Sequence, residues 1–173
     1  MRWLPALTLL AACSHAGAGR PGPAAVASGT LRDSAGQRVG VAAVLDTSGA
    51  LQLAVSVGGL TPGPHGLHIH EHGECTPPDF SSAGAHFNPE HRQHGHLNPE
   101  GPHLGDLSNI VADSEGSADT SFALEPGMVG AGPRSLTRPG GTAVVIHAEA
   151  DDERTEPSGN AGARVACAVL EPG

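Results

Sequence analysis

Two imidazoles two residues apart, in His68-Ile69-His70, open a run of side chains able to bind a transition metal. At i and i+2 on a strand both rings point to one face, while Leu67 and Ile69 point to the other. By itself such a pair is a weak signal, equally at home as exposed polar positions on an edge strand. Its company strengthens it: His86, His94, His103 and Asp106 follow along the chain, and His147 closes the run Val144-Val145-Ile146. Of eleven histidines, eight crowd between His65 and His96, and a cluster of that kind points first to metal.

Short strands must position these groups. Val26–Arg32, Arg38–Leu45 and Leu51–Val57 alternate apolar and polar positions, and Asp46-Thr47-Ser48-Gly49 supplies a hairpin turn between the last two. Gly58-Gly59 and Thr61-Pro62-Gly63-Pro64 end that unit, and Gly66–His72 is the next strand expected. Leu107–Asp113 and Ala118–Leu124 flank a second hairpin turn, Ser114-Glu115-Gly116-Ser117. Gly141–Ala148 and Ala163–Leu170 are near-continuous apolar runs of the sort that pack on both faces. The pattern predicts an all-β domain of about eight strands. Two long segments without periodicity, 73–106 and 149–162, are rich in Gly, Pro, His and acids; they are expected to be functional loops.

A chain of 173 residues suits one domain. Gly 25 and Pro 15 bring it near the composition of disordered chains, yet 38% of residues are apolar, enough for a packed core. One Trp, three Phe and no Tyr offer no stacking platform for bases. A formal charge of −9, with every basic residue an Arg, excludes an unspecific nucleic-acid binder. No window of eighteen apolar residues follows the first dozen, so nothing in the body of the chain is expected to span a bilayer.

At the N-terminus, Met1-Arg2-Trp3 and the apolar stretch Leu4–Ala12 have the pattern of an export signal. Leu10-Ala11-Ala12-Cys13 resembles the lipobox of bacterial lipoproteins, which implies a signal peptide over 1–12 and a diacylated Cys13. An ordinary signal peptide with an incidental cysteine is the alternative. Residues 13–27 would then be a flexible tether, small and rich in Gly and Pro, ahead of a domain over 28–173. In an oxidising compartment the remaining pair, Cys75 and Cys167, is expected to form a disulfide; two buried thiols are the other reading.

Taken together, the motifs resemble the copper/zinc superoxide dismutase family over about residues 28–171. Gly66-Leu67-His68-Ile69-His70 resembles its copper motif, and Ser82–Pro89 resembles the segment carrying the imidazolate that bridges the two metals. His94 and His103 fall eight and seventeen residues after His86, with Asp106 three further on, as the family's zinc ligands do. Gly159–Cys167 resembles the family's C-terminal signature. The resemblance implies a Greek-key antiparallel β-barrel, with one copper on His68, His70, His86 and His147 and one zinc on His86, His94, His103 and Asp106. Three nitrogens and a carboxylate make a closed, structural zinc site. All-imidazole copper favours neither oxidation state overwhelmingly, which suits dismutation of superoxide to oxygen and hydrogen peroxide. The resemblance also implies that His86 exchanges copper for a proton, that Arg164 attracts the anion, and that Asp151 links ring nitrogens of a copper and a zinc ligand. His65 matches a supporting position, whereas His72, His91 and His96 match no ligand.

The spacing of five from His70 to Cys75 is similar to the bacterial periplasmic branch, so the implied location is the bacterial envelope, with a lipid anchor at Cys13 as the one membrane contact. Only seventeen residues separate His147 from Arg164, so guidance of the anion is expected to rest mainly on Arg154 and Arg164. The sequence leaves monomer and homodimer open. The rival function is a non-catalytic protein that sequesters copper and zinc on the same fold.

Overall fold

The computed structural model describes residues 23–173. The expected signal peptide, Cys13 and most of the expected tether lie outside the described residues. Eight principal strands and one short one form a single antiparallel sheet: β1 (Ala25–Asp33), β2 (Arg38–Asp46), β3 (Leu51–Val57), β4 (Gly63–His70), β5 (Asp106–Ala112), β6 (Ala118–Ala123), β7 (Ala143–His147), β8 (Arg164–Val169) and β9 (Glu171–Pro172). Their order is β5-β4-β7-β8-β1-β2-β3-β6, with β9 also on β1. The connections β3 to β4 and β6 to β7 cross between the two ends of this path, in Greek-key fashion. Consecutive strands β5 and β6 form the two edges, so the barrel is nearly closed.

Alternation explains which side chains fill it. Ala42 and Val44 on β2, Leu53 and Val55 on β3, and Leu67 and Ile69 on β4 are all buried. At about 25 cal/mol per Å2 of apolar surface, each large aliphatic contributes about 2 kcal/mol. On β4 and β7 both faces are buried: Leu67, Ile69, Val144 and Ile146 face the barrel core, and His68, His70 and His147 are covered by loops. This is why the β7 sequence is a continuous apolar run.

Most boundaries shift by a residue or two from the sequence expectation, and three of the shifts bear on the domain and the site. β1 begins at Ala25 and Ala27 is fully buried, so the end of the expected tether belongs to the domain. β4 begins at Gly63 rather than Gly66, because the stretch read as a turn pairs with β5 through Gly63–Ala112 and Pro64–Val111, beyond an irregularity between His65 and Leu67. Proline is tolerated near a strand's start, where its missing N–H matters least. β4 also stops at His70, since Glu71 and His72 turn their N–H groups to Ala85 and Ala83. A third long segment, 124–142, was not singled out by the sequence pattern. It buries Met128 and Leu136 against the core, with Leu136 N–H on Met128 O and the Thr142 hydroxyl on Leu136 O.

Candidate metal centre

Loop 71–105 folds back on β4 and brings the distant histidines together. Phe87 N–H donates to Ile69 O at 2.8 Å, Ile69 N–H to Gly105 O at 2.8 Å, and Gly105 N–H to Phe87 O at 2.8 Å. This three-way knot sets His86 beside His70 and leads the chain into β5 at Asp106.

His68, His70, His86 and His147 are all buried, and one nitrogen from each lies within 4.8 Å of the others. In each ring the opposite nitrogen is already fixed. His68 Nε2–H donates to Asp151 Oδ2 at 2.8 Å, His70 Nδ1–H to Gly84 O at 2.9 Å, and His147 Nδ1–H to Gly162 O at 3.1 Å. Carbonyls and carboxylates only accept, so these contacts fix the tautomers and leave His68 Nδ1, His70 Nε2 and His147 Nε2 as bare lone pairs. With His86 Nε2, these atoms are buried and have no hydrogen-bond partner among the described residues. Four orphaned acceptors facing one point are costly unless a cation satisfies them. Burial and the neighbouring rings hold His70 near pKa 2, His86 near 4 and His147 near 3, so all three are neutral and ready to ligate at pH 7.

The second set shares His86. Asp106 Oδ1 lies 2.8 Å from His86 Nδ1 and 3.1 Å from His103 Nδ1, and Asp106 Oδ2 lies 3.1 Å from His94 Nδ1. The backbone N–H groups of Gly95 and His103 donate to Asp106 Oδ2 at 2.9 Å each, aiming the carboxylate. Burial opposes the Asp106 charge, but hydrogen bonds from His103, His86 and His94 outweigh it and hold the carboxyl well below its usual range. The two sets therefore meet at one imidazole, His86, with Nε2 toward the first and Nδ1 toward the second.

Asp151 ties the sets together a second time. Its Oδ2 holds His68 and its Oδ1 accepts from His94 Nε2–H at 3.0 Å. Asp151 is itself clamped by Asn109 on β5, which donates Nδ2–H to Asp151 O and accepts the Asp151 N–H at Oδ1, both at 2.8 Å. Gly159 closes over the same carboxylate: at φ +62° its backbone is left-handed, and a Cβ there would lie 1.6 Å from Asp151 Oδ1. Burial alone would lower the His94 pKa, but hydrogen bonds with Asp106 and Asp151 raise it to about 10.

Arg164 stands beside the first set. Its guanidinium donates to Phe80 O and Gly84 O, each at 2.7 Å, and Gly84 O is the carbonyl that also orients His70. The disulfide joins Cys75 in the loop to Cys167 on β8, with Cα atoms 5.7 Å apart. One bond thereby fixes the loop carrying Phe80 and Gly84 to the strand carrying Arg164. His65 supports from below, donating Nδ1–H to His147 O at 2.7 Å. His72, His91 and His96 are exposed and stand apart from both sets, and Arg154 is exposed on the loop after Asp151.

Every ligand named from the sequence thus falls into one of two adjoining clusters. Sequence reasoning missed Asn109 and the contact role of Gly159. An Asn in mid-strand is disfavoured, and that irregularity was the available signal.

The comparisons agree with this geometry. The family model described as copper/zinc superoxide dismutase matches residues 38–170. The chain is 42% identical over 142 residues to superoxide dismutase [Cu-Zn] 2 of Aquifex aeolicus, covering 81% of this chain and 83% of that one. It is 41% identical over 149 residues to the superoxide dismutase [Cu-Zn] of Caulobacter vibrioides, covering 84% and 85%. Among solved structures, a double mutant of a SOD-like protein from Bacillus subtilis superposes with a TM-score of 0.79 at 37% identity, covering 83% of this chain and 96% of that one.

Proposed function

Because the chain belongs to the copper/zinc superoxide dismutase family, we propose that His68, His70, His86 and His147 hold its copper and that His86, His94, His103 and Asp106 hold its zinc. The reaction is the conversion of two superoxide ions and two protons to oxygen and hydrogen peroxide. When bound, copper supplies one-electron redox chemistry and zinc supplies a fixed positive charge and structure.

The observation that carries the assignment is the set of buried, unpartnered nitrogens, each on a ring whose other nitrogen is already committed. Such an arrangement has no use in a metal-free core. His86 takes up and returns a proton at Nε2, while its Nδ1, on the zinc side beside Asp106, would keep the ring in place. Arg164 attracts the anion and, through Gly84 O, is positioned by the same carbonyl as His70. A purely sequestering protein needs no anion guide and no Asp151 link, and that rival is not favoured.

We further place the protein on the periplasmic side of a bacterial envelope, held by a lipid on Cys13. The short leader ending in Leu10-Ala11-Ala12-Cys13 and the oxidised pair Cys75–Cys167 support this reading.

The test measures metal content and superoxide turnover on one purified sample. Wild type is expected to hold about one copper and one zinc and to turn over rapidly, whereas His147→Ala loses turnover and keeps its zinc. Full activity in His147→Ala overturns the copper assignment. Cys13→Ser is expected to move the protein out of the membrane fraction, and continued membrane retention defeats the anchor.

A further inference from the structure

A cavity of about 520 Å3 lies against the zinc set on the side away from copper. His103 and Asp106 form part of its wall, and no residue of the copper set lines it. Its flanks are the edges of β5 and β6, where the barrel stays open: among the described residues β5 pairs only with β4, and β6 only with β3. Across it runs an ion pair between Arg134, on the segment after β6, and Glu90, on the metal-bearing loop. Arg134 also comes within 4.0 Å of Glu125, on its own segment.

The zinc set is nearly closed to solvent. The side chains of His94 and Asp106 are 0% and 1% exposed and that of His86 is 5% exposed, while His103, facing the cavity, reaches 9%. A cation entering the folded protein needs a path with acceptor groups along it. Glu90 and Glu125 line the cavity together with His103 and Asp106, alongside the cations Arg92 and Arg134, and Arg134 occupies Glu90 when the pair is made. An exposed ion pair between two loops is weak and opens readily, which suits a closure that must yield to a passing ion.

We propose that this cavity is the route by which a divalent cation reaches and leaves the zinc set, separate from the copper mouth, with the Arg134–Glu90 pair as its latch. The inference rests on the reading of His86, His94, His103 and Asp106 as zinc ligands. It makes the open seam of the barrel a working feature: two unpaired strand edges leave the gap that a closed barrel would fill.

The experiment follows zinc and copper leaving the doubly loaded protein into excess chelator, zinc being read by the absorbance of 4-(2-pyridylazo)resorcinol. Arg134→Gln, which opens the latch and frees Glu90 as an acceptor, should speed zinc release several-fold with copper release unchanged. The charge-swapped double variant Glu90→Arg with Arg134→Glu should return zinc release toward wild type. Ser121→Trp, which sets a large ring in the cavity's exposed flank, should slow release at unchanged zinc content. Equal acceleration of both metals in Arg134→Gln shows general loosening and overturns the route, as does zinc release indifferent to latch and flank variants alike. His103→Ala separates the two readings. Loss of zinc there with unaltered rates in the other variants removes only the route, whereas full zinc content in His103→Ala removes the zinc assignment beneath it.

Discussion

At the scale of single residues, the proposed centre depends on groups outside both ligand sets. Asp151 orients His68 and His94 at once, yet its own position is set by the paired hydrogen bonds of Asn109 and by the space Gly159 leaves. Asn109→Ala removes both bonds and frees Asp151 to rotate. Orienting partners of this kind typically matter by about 10–100-fold in metal affinity. A loss in that range for zinc, with the far-ultraviolet spectrum unchanged, is expected in a chelator competition; undiminished affinity would show that Gly159 and the ring contacts hold Asp151 unaided. His94 makes the second residue-level prediction. In the metal-free fold its pKa rises from 6.5 to about 10 because, against the opposing effect of burial, the protonated ring faces Asp106 through Nδ1 and Asp151 through Nε2. A group raised in the fold adds stability that is complete below its unfolded value and is lost as pH climbs through its folded value. On the proposed assignment zinc would take that proton's place and would not leave with it. The melting temperature of metal-free protein should therefore fall between pH 6.5 and 10 while the zinc-loaded form holds, widening the gap between them; a constant gap across this window refutes the role given to His94.

At the scale of elements, the same local rules that made the site legible also hid parts of it. Alternation marked β2, β3 and β6 within a residue or so, because their outer faces are wet and their inner faces apolar. His68 and His70 were legible for the same reason: period two puts both rings on one face, and that face is the one the loop covers. What the pattern hid depends on contacts remote in sequence. Gly63-Pro64 has turn composition, and only pairing with β5 makes it strand. Segment 124–142 lacks any period, since its packing is done by Leu124, Met128, Val129 and Leu136 at irregular spacing and the rest is turns. Asn109 is identified by what it faces across 42 residues, which no local window contains. The disulfide is the element-scale device that substitutes for such packing, joining the loop to β8 across a sequence separation of 92. On the chain-entropy account, closing a loop of this length stabilises by about 4–5 kcal/mol before native strain. Cys75→Ser with Cys167→Ser is thus expected to cost about 2–5 kcal/mol in denaturant unfolding and to lower copper affinity more than zinc affinity, because the freed loop carries the Gly84 carbonyl that orients His70. Equal loss of both metals would mean that the bond serves the fold and not the copper side.

At the scale of the whole molecule, the charge balance opposes the reaction that the site performs. A chain of net −9 repels superoxide at long range, and the nearest attraction is the Arg164 guanidinium beside His70. The two forces differ in reach. The repulsion is a sum over charges spread across the surface, so it weakens once the screening length drops from about 30 Å at 0.01 M salt to about 10 Å at 0.1 M. Arg164 acts within a few ångströms of the metal set, and its half-buried setting shields it from added ions. Moderate salt should therefore remove more repulsion than attraction. Turnover per unit superoxide is expected to rise by less than about tenfold from 0.01 to 0.1 M ionic strength, and to level off or fall beyond that as the local field is screened in turn. In Arg164→Gln the rise should persist at a lower overall rate, because the distant acids are unchanged while the local attraction is gone. Pulse radiolysis across this range reads both curves. A wild-type rate that falls from the lowest salt upward would mean that the field at the mouth is already attractive beyond 10 Å, and that the placement of the arginines outweighs the net charge of the molecule.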